Sequence, residues 1–273
     1  MIKHNTKIVN KNHPQGKDLM LFLPMNEGGG LTCIDYAGAF NGTLVNSPVW
    51  GSTGIGSVPK ITLNSSKHVK TNFNSNILYT TKSWSIIFKI IINSNAGSAI
   101  LVSSTVTAGN PTLLMHWSPT ASRWVWYCNG AGDKITFAPI SLGVPHTICI
   151  TYDGSFFRTY VDGVYNDISS STFTSLSAFN SIWIGWEDVV IYNGSKSLDG
   201  SIADFRIYSR ILTPSDQIDI SNNPNNVFFN KSIITTFKPP YHFLRVNSVL
   251  WTNINTLNSI SRSIISKIDN INT

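Results

Sequence analysis

The stretch Leu198–Ile218, LDGSIADFRIYSRILTPSDQI, reads as a turn, a strand, a second turn and the start of a helix. Asp204, Arg206 and Tyr208 alternate along the strand, so they share one face and could pair with neighbours or with the corner at Thr213. Thr213 suits an N-cap, Pro214 the N1 position that needs no donor, and Asp216 the N3 position that answers the cap. Ile218 and Ile220 continue the helix, and Asn222-Asn223-Pro224 stops it after about two turns. Such a unit closes a sheet. What precedes it decides which kind.

Working outward, period-two alternation recurs from residue 19 to residue 208. WSIIFKIII (84–92) sets Trp84, Ile86, Phe88, Ile90 and Ile92 on one face, and Ser85, Ile87, Lys89 and Ile91 on the other. That is a strand buried on one side and partly covered on the second. HTICITY (146–152) alternates His146, Ile148, Ile150 and Tyr152 against Thr147, Cys149 and Thr151. Asp153-Gly154 and Asp162-Gly163 then bracket FFRTYV, a strong hairpin signal. LLMHW and RWVWYC, joined by SPTAS, form another hairpin, and SIWIGW (181–186) a further strand. The pattern predicts an all-β fold, a two-sheet antiparallel jelly-roll sandwich with one short helix and an extended or helical C-terminal tail. A doubly wound fold would need several ten-residue helices, and no such periodicity is present.

Charged residues are 12% of the chain, about half the usual ~25%. The two glutamates, Glu27 and Glu187, are too few for long exposed helices. The net charge of +6 sits at the ends: residues 1–20 carry +3 and residues 231–273 carry +4. Basic ends on a near-neutral body are either solvated tails or docking arms for an acidic partner surface. Cys33, Cys128 and Cys149 are too few for a disulfide framework and lack zinc-site spacing; Cys128 and Cys149 read as small buried apolar groups. The N-terminus lacks the apolar core of a signal peptide, and the longest apolar run, Trp84–Ile92, is far below the ~20 residues of a membrane span. Neither membrane insertion nor direct nucleic-acid binding is expected.

Catalysis has no visible machinery. Glycoside cleavage needs two carboxylates ~5–9 Å apart, and the adjacent Glu187-Asp188 pair would point to opposite sheet faces. No nucleophile elbow occurs, and His13, His68, His116, His146 and His242 are scattered. The expectation is a non-enzymatic protein with no cofactor. For glycan stacking the candidates are Trp117, Trp124 and Trp126, the last two on one face of a strand, with core burial as the competing reading.

The organisation predicted is a basic N-terminal arm (1–18), a sandwich domain (19–225) and a C-terminal anchoring segment (226–273). In the last, Pro239 and Pro240 make FKPPYHFLRV (237–246) an extended strap. Beyond it Leu250, Ile254, Leu257, Ile264, Ile268 and Ile271 fall on three-to-four spacing, an amphipathic helix or short coiled-coil seam. That helix either packs on its own domain or, the favoured reading, contacts a subunit or partner. Lys238, Tyr241, Phe243 and Arg245, with Leu250, Ile254, Leu257, Ile264 and Ile268, are the anchoring candidates, in a homo-oligomer built through this tail.

Four ordered blocks between residues 19 and 220 resemble laminin-G-like domains of the concanavalin A-like lectin/glucanase superfamily. Asn26-Glu27-Gly28-Gly29-Gly30 with Asp35, Gly38 and Asn41-Gly42-Thr43-Leu44 forms the first block. His146 to Asp153-Gly154 with Tyr160-Val161-Asp162-Gly163 is the second, although Pro145 stands where the family often has Trp. Ile184-Gly185 is the third, and Gly200, Ile202, Asp204 to Tyr208, Arg210, Leu212 and Thr213 the last. The resemblance implies a jelly roll and brings calcium as a family ligand, with no ligand residues assigned. Asn10, His13, Pro14 and Leu19, with Asn223-Pro224, Val227-Phe228 and the strap, resemble laminin-G-like proteins of tailed bacteriophages. This implies a non-enzymatic structural component of a virion (head decoration, fibre or tail-associated), assembled in the bacterial host cytoplasm with other virion proteins and carried on the particle surface. The alternative is a carbohydrate-binding adhesin recognising host or environmental glycans.

Overall fold

The computed structural model describes residues 8–53, 56–61, 67–74, 76–95, 100–104, 113–118, 122–128, 133–137, 139–170, 181–187 and 196–228. Among them two antiparallel sheets face each other. The first runs β14 (Val164–Ser170), β13 (Phe156–Val161), β12 (Pro145–Tyr152), β7 (Trp84–Ser94), β18 (Asp199–Tyr208), β5 (Gly56–Ile61) and β4 (Val49–Thr53), and β1 (Leu19–Leu23) also pairs with β18. The second runs β11 (Asp133–Thr136), β10 (Arg123–Cys128), β9 (Leu113–Ser118), β8 (Ile100–Ser104), β15 (Ile182–Ile184), β6 (His68–Thr71), β3 (Gly42–Val45) and β2 (Thr32–Cys33). A small ribbon pairs β16 (Trp186–Glu187) with β17 (Lys196–Ser197). The two-sheet sandwich is as the alternation predicts.

The core between the sheets takes Trp84, Ile86, Phe88, Ile90 and Ile92 from β7 and Ile148, Ile150 and Tyr152 from β12. From the second sheet come Val69, Leu113, Met115, Trp124, Trp126 and Ile184. In β18 the alternation is interrupted. Asp204 adopts a left-handed φ of 52°, and the pairing with β7 slips between Ala203 and Arg206. This bulge lets Ile202, Phe205 and Ile207 all reach the core, which strict alternation would not allow.

The outer face of the first sheet is covered as well. The helix α2 (Pro214–Asn222) has the N-cap box read from sequence: Asp216 N–H donates to Thr213 Oγ1, and Thr213 N–H to the Asp216 carboxylate. Arg210 braces that carboxylate at 2.9 Å. A second helix, α1 (Asn76–Thr81), anchors itself through buried Leu78. Beside α2 and the segments 8–17 and 223–228 lie Val9, Phe22, Ile87, Cys149, Tyr208, Leu212, Ile220, Val227 and Phe228, a second apolar cluster.

Residues 8–17 are therefore no free arm. Val9 bridges Phe228, and Asn10 N–H donates to the Val227 carbonyl at 2.7 Å. The fully buried Arg206 ties residues 15 and 224 together: Nε donates to Asp204 at 2.9 Å, one amino group to Gln15 Oε1 at 3.1 Å, the other to the Pro224 carbonyl at 2.7 Å. Its guanidinium also lies 4.1 Å from the centre of the Phe22 ring. The Gln15 amide continues to Asp219 and to the Asn223 carbonyl, while Tyr208 donates to the Gln15 carbonyl. The residues that carried the bacteriophage resemblance, near 10–19 and 223–228, thus form one structural seam.

Turns follow their residues. Asp162 (φ 53°) and Gly163 (φ 76°) make the tight reversal from β13 to β14, and a Cβ on Gly163 would meet Ile218 at 2.6 Å. Asp35 accepts from the Phe22, Ala37 and Phe40 N–H groups, so the first laminin-G-like block holds loops together. Cys33 and Cys149 are buried free thiols, and burial pushes both pKa values up. They are inert packing groups.

Candidate functional site

At one end of the sandwich the sheets part around a cleft of about 320 Å³. From the first sheet come Asn95, just after β7, and Asn166 of β14. The β9–β10 hairpin gives Trp117, Ser122, Arg123 and Trp124. Thr136 of β11 and the following Phe137, Pro139 and Ile140 complete it. Strand pairing sets Trp117 directly opposite Trp124, with rings edge to face and centroids 5.9 Å apart. Trp124 is buried and forms the floor, whereas Trp117 is half-buried.

The rim is stitched across the two sheets. Thr136 donates its N–H and hydroxyl to Asp167, at 3.0 and 2.8 Å, and the Asn166 amide donates to the Thr136 carbonyl at 2.7 Å. Burial would raise the Asp167 pKa. The Thr136 and Ile168 hydrogen bonds and the Arg123 charge outweigh it and hold the carboxyl below the usual carboxylate range. Two lining groups are left unanswered: Asn95 Oδ1 and Trp124 Nε1 are buried with no hydrogen-bond partner among the described residues. One is an acceptor and the other a donor. A buried polar atom left so costs about 1–3 kcal/mol.

The sequence candidates fare unevenly. Trp124 and Trp126 do share a face, but it is the core face: they are 1% and 0% exposed. Neither can offer a flat ring surface to a sugar, and this corrects their assignment as stacking platforms. Trp126 packs against Trp84 and does not line the cleft. Trp117 keeps part of its ring at the cleft. Trp183, half-buried on the second sheet, is already engaged by the His68 ring at 5.0 Å and by Lys70. Asn95, Arg123 and Asn166 carried no local signal, since nothing in their neighbourhoods foretells a shared cleft. Lys238, Tyr241, Phe243, Arg245, Leu250, Ile254, Leu257, Ile264 and Ile268 lie outside the described residues.

A second hollow, of about 400 Å³, lies between β12 and the end of α2. In it His146 Nδ1 meets Asp162 at 2.7 Å, while Nε2 accepts from the Ser141 N–H at 3.2 Å. The Ser221 hydroxyl bonds to Thr147, and its carbonyl accepts from Lys89. The imidazole is thus held at both nitrogens, a clamp on the β12–β13 hairpin. Among the described residues no cluster of three or more His, Cys, Asp or Glu could hold a metal ion, and no helix is long and apolar enough to cross a membrane.

A family model of the concanavalin A-like lectin/glucanase superfamily matches residues 63–216, more than half of the chain. No curated protein matches it in sequence. Among solved structures it is similar to Trypanosoma rangeli sialidase in complex with 2,3-difluorosialic acid, at 13% identity and a TM-score of 0.57 over 76% of this chain and 34% of that one. The same sialidase in complex with sialic acid gives 12%, 0.58, 77% and 33%. The binding domain of botulinum neurotoxin DC in complex with SialylT gives 16%, 0.58, 76% and 52%. The chain therefore spans about a third of the sialidases' length and about half of the toxin domain's. At this identity the likeness shows the fold. It also corrects the reading of the chain as a structural component of a bacteriophage virion: these similar structures are an enzyme and a toxin's binding domain, not virion parts.

Proposed function

The chain belongs to the concanavalin A-like lectin/glucanase superfamily, and from that premise we propose that it is a carbohydrate-binding adhesin whose sugar site is the rim cleft. The observation that carries the reading is the pairing, in one cleft, of the half-buried Trp117 with the unanswered Asn95 Oδ1 and Trp124 Nε1. Sugars present apolar C–H faces and hydroxyls that both donate and accept. A tryptophan beside unmet polar atoms suits both halves of that chemistry. The solved structures of similar fold that hold sialic acid and SialylT support the same class of ligand.

The role proposed is binding without cleavage, with no cofactor taking part. No carboxylate lines the cleft among the described residues, and the carboxylate pair used by most glycosidases has no counterpart there.

A glycan array followed by calorimetry on the full chain tests the proposal. Saturable binding to a glycan is expected, with Trp117→Ala weakening it on the order of ten-fold or more through loss of the stacking surface. The melting temperature of the variant separates lost contact from lost fold. Binding that is unchanged in a folded Trp117→Ala protein would move the site elsewhere.

A further inference from the structure

We propose that the ligand of this cleft is a glycan ending in a carboxylated sugar, and that Arg123 is the group that selects the carboxylate. The inference rests on the carbohydrate-binding reading above and narrows it to a class of sugar.

Arg123 is the one charged residue among the described residues that line the cleft. The other lining side chains are aromatic, aliphatic, amide or hydroxyl groups. The cleft therefore carries positive charge against a protein body that is near neutral. Asp167, whose pKa the Arg123 charge lowers, does not line the cleft, and its oxygens already accept from the Thr136 N–H, the Thr136 hydroxyl and the Ile168 N–H. Through that charge Asp167 and Arg123 attract across the rim.

A guanidinium has five donors in a planar fork, so a neighbouring acceptor does not exhaust it. The fork matches the two oxygens of a carboxylate, which a single sugar hydroxyl cannot. Arg123 is exposed at the first residue of β10, next to floor residue Trp124 and opposite Ser118. A sugar seated on Trp117, with hydroxyls toward Asn95 and Trp124, would have its edge near this fork. The volume, about 320 Å³, is at the small end of ligand pockets. That size suits the terminal unit of a chain.

The test is titration of the full chain with 3′-sialyllactose, with lactose, which lacks the carboxylated unit, with trigalacturonate and with its neutral methyl ester. Binding of at least one carboxylated probe, with its neutral counterpart weaker on the order of ten-fold, is expected. Arg123→Gln should erase that preference and Arg123→Lys should restore part of it, since lysine keeps the charge but loses the fork. Raised salt should weaken binding of the carboxylated probe only. Which of the two carboxylated probes binds tells a sialyl ligand from a uronate. Equal binding of neutral and carboxylated probes, or an Arg123→Gln protein that keeps the preference, would overturn the inference while leaving the carbohydrate reading intact. If no glycan binds, charged or neutral, both fall. Melting curves of both variants separate a lost carboxylate contact from a lost fold.

Discussion

Two regions of this molecule handle buried polar groups in opposite ways. On the outer face of the first sheet, Arg206 and Gln15 direct their donors at the chain itself: Asp204, Pro224, Asp219 and Asn223 receive them. At the rim cleft, Asn95 Oδ1 and Trp124 Nε1 are buried without a partner among the described residues. The first arrangement closes the fold by joining residue 15 to residues near 206 and 224. The second leaves interaction capacity open beside a hollow. Burial alone does not mark a site, because Trp126 Nε1 is also unpartnered. What separates Asn95 and Trp124 is that they line the cleft with Trp117 and Arg123.

The largest effect that can break this comparison is Arg206→Ala. It would leave Asp204 buried and unpaired, strand Gln15 and release the Pro224 carbonyl. A loss of about 3–5 kcal/mol is expected, read as the shift of a urea unfolding midpoint. A loss below about 1 kcal/mol, typical of an exposed ion pair, would show that the seam does not hold residues 15 and 224 together. A matched pair of amide replacements then sharpens the contrast. Gln15→Leu should cost about 1–3 kcal/mol, since it leaves an Arg206 donor buried and unmet. Asn95→Leu removes a buried acceptor that has no partner to lose, so stability should hold or rise by up to about 1–3 kcal/mol while glycan affinity falls. If Asn95→Leu destabilised as much as Gln15→Leu, the acceptor would have a structural partner and the contrast would fail.

The two regions were also unequally legible in the sequence. The seam lies in stretches with local grammar. Thr213, Pro214 and Asp216 announced the capped helix, and Asp162-Gly163 announced the hairpin, because each rests on residues within a few positions of one another. Alternation placed the core of β7 correctly for the same reason. It could not foresee the bulge at Asp204, which depends on how β18 meets β7 and Pro24. Nor could it say which face of β10 turns inward: Trp124 and Trp126 share a face in either case, and only the opposing sheet makes it the core. The cleft was least legible of all. Asn95, Asn166 and the pair Trp117 and Arg123 come from the end of β7, from β14 and from the β9–β10 hairpin, and the meeting of these three is a property of the topology. The tie between Gln15 and Arg206 spans 191 positions and left no local mark either.

The smallest expected effect is on acid stability, and it reads both regions at once. Asp216 belongs to the seam and Asp167 to the rim. In each, burial raises the pKa but hydrogen bonds and a nearby arginine lower it further, so both fold with a value below the ordinary 3.8. For such a group the unfolded chain binds the proton more readily than the folded one. Its contribution is therefore complete above 3.8 and is lost as pH falls through that value toward the folded one. Melting temperature should stay level between about pH 7 and pH 5 and drop below about pH 4. Asp216→Asn and Asp167→Asn should each lower the neutral plateau and flatten the acid drop. If only Asp216→Asn did so, the rim carboxylate would not be held ionised by Thr136 and Arg123, and the positive character assigned to the cleft would have to rise. If only Asp167→Asn did so, the stitching between β11 and β14 would outweigh the helix cap in fixing the fold against acid, and the rim would be the stiffer of the two regions.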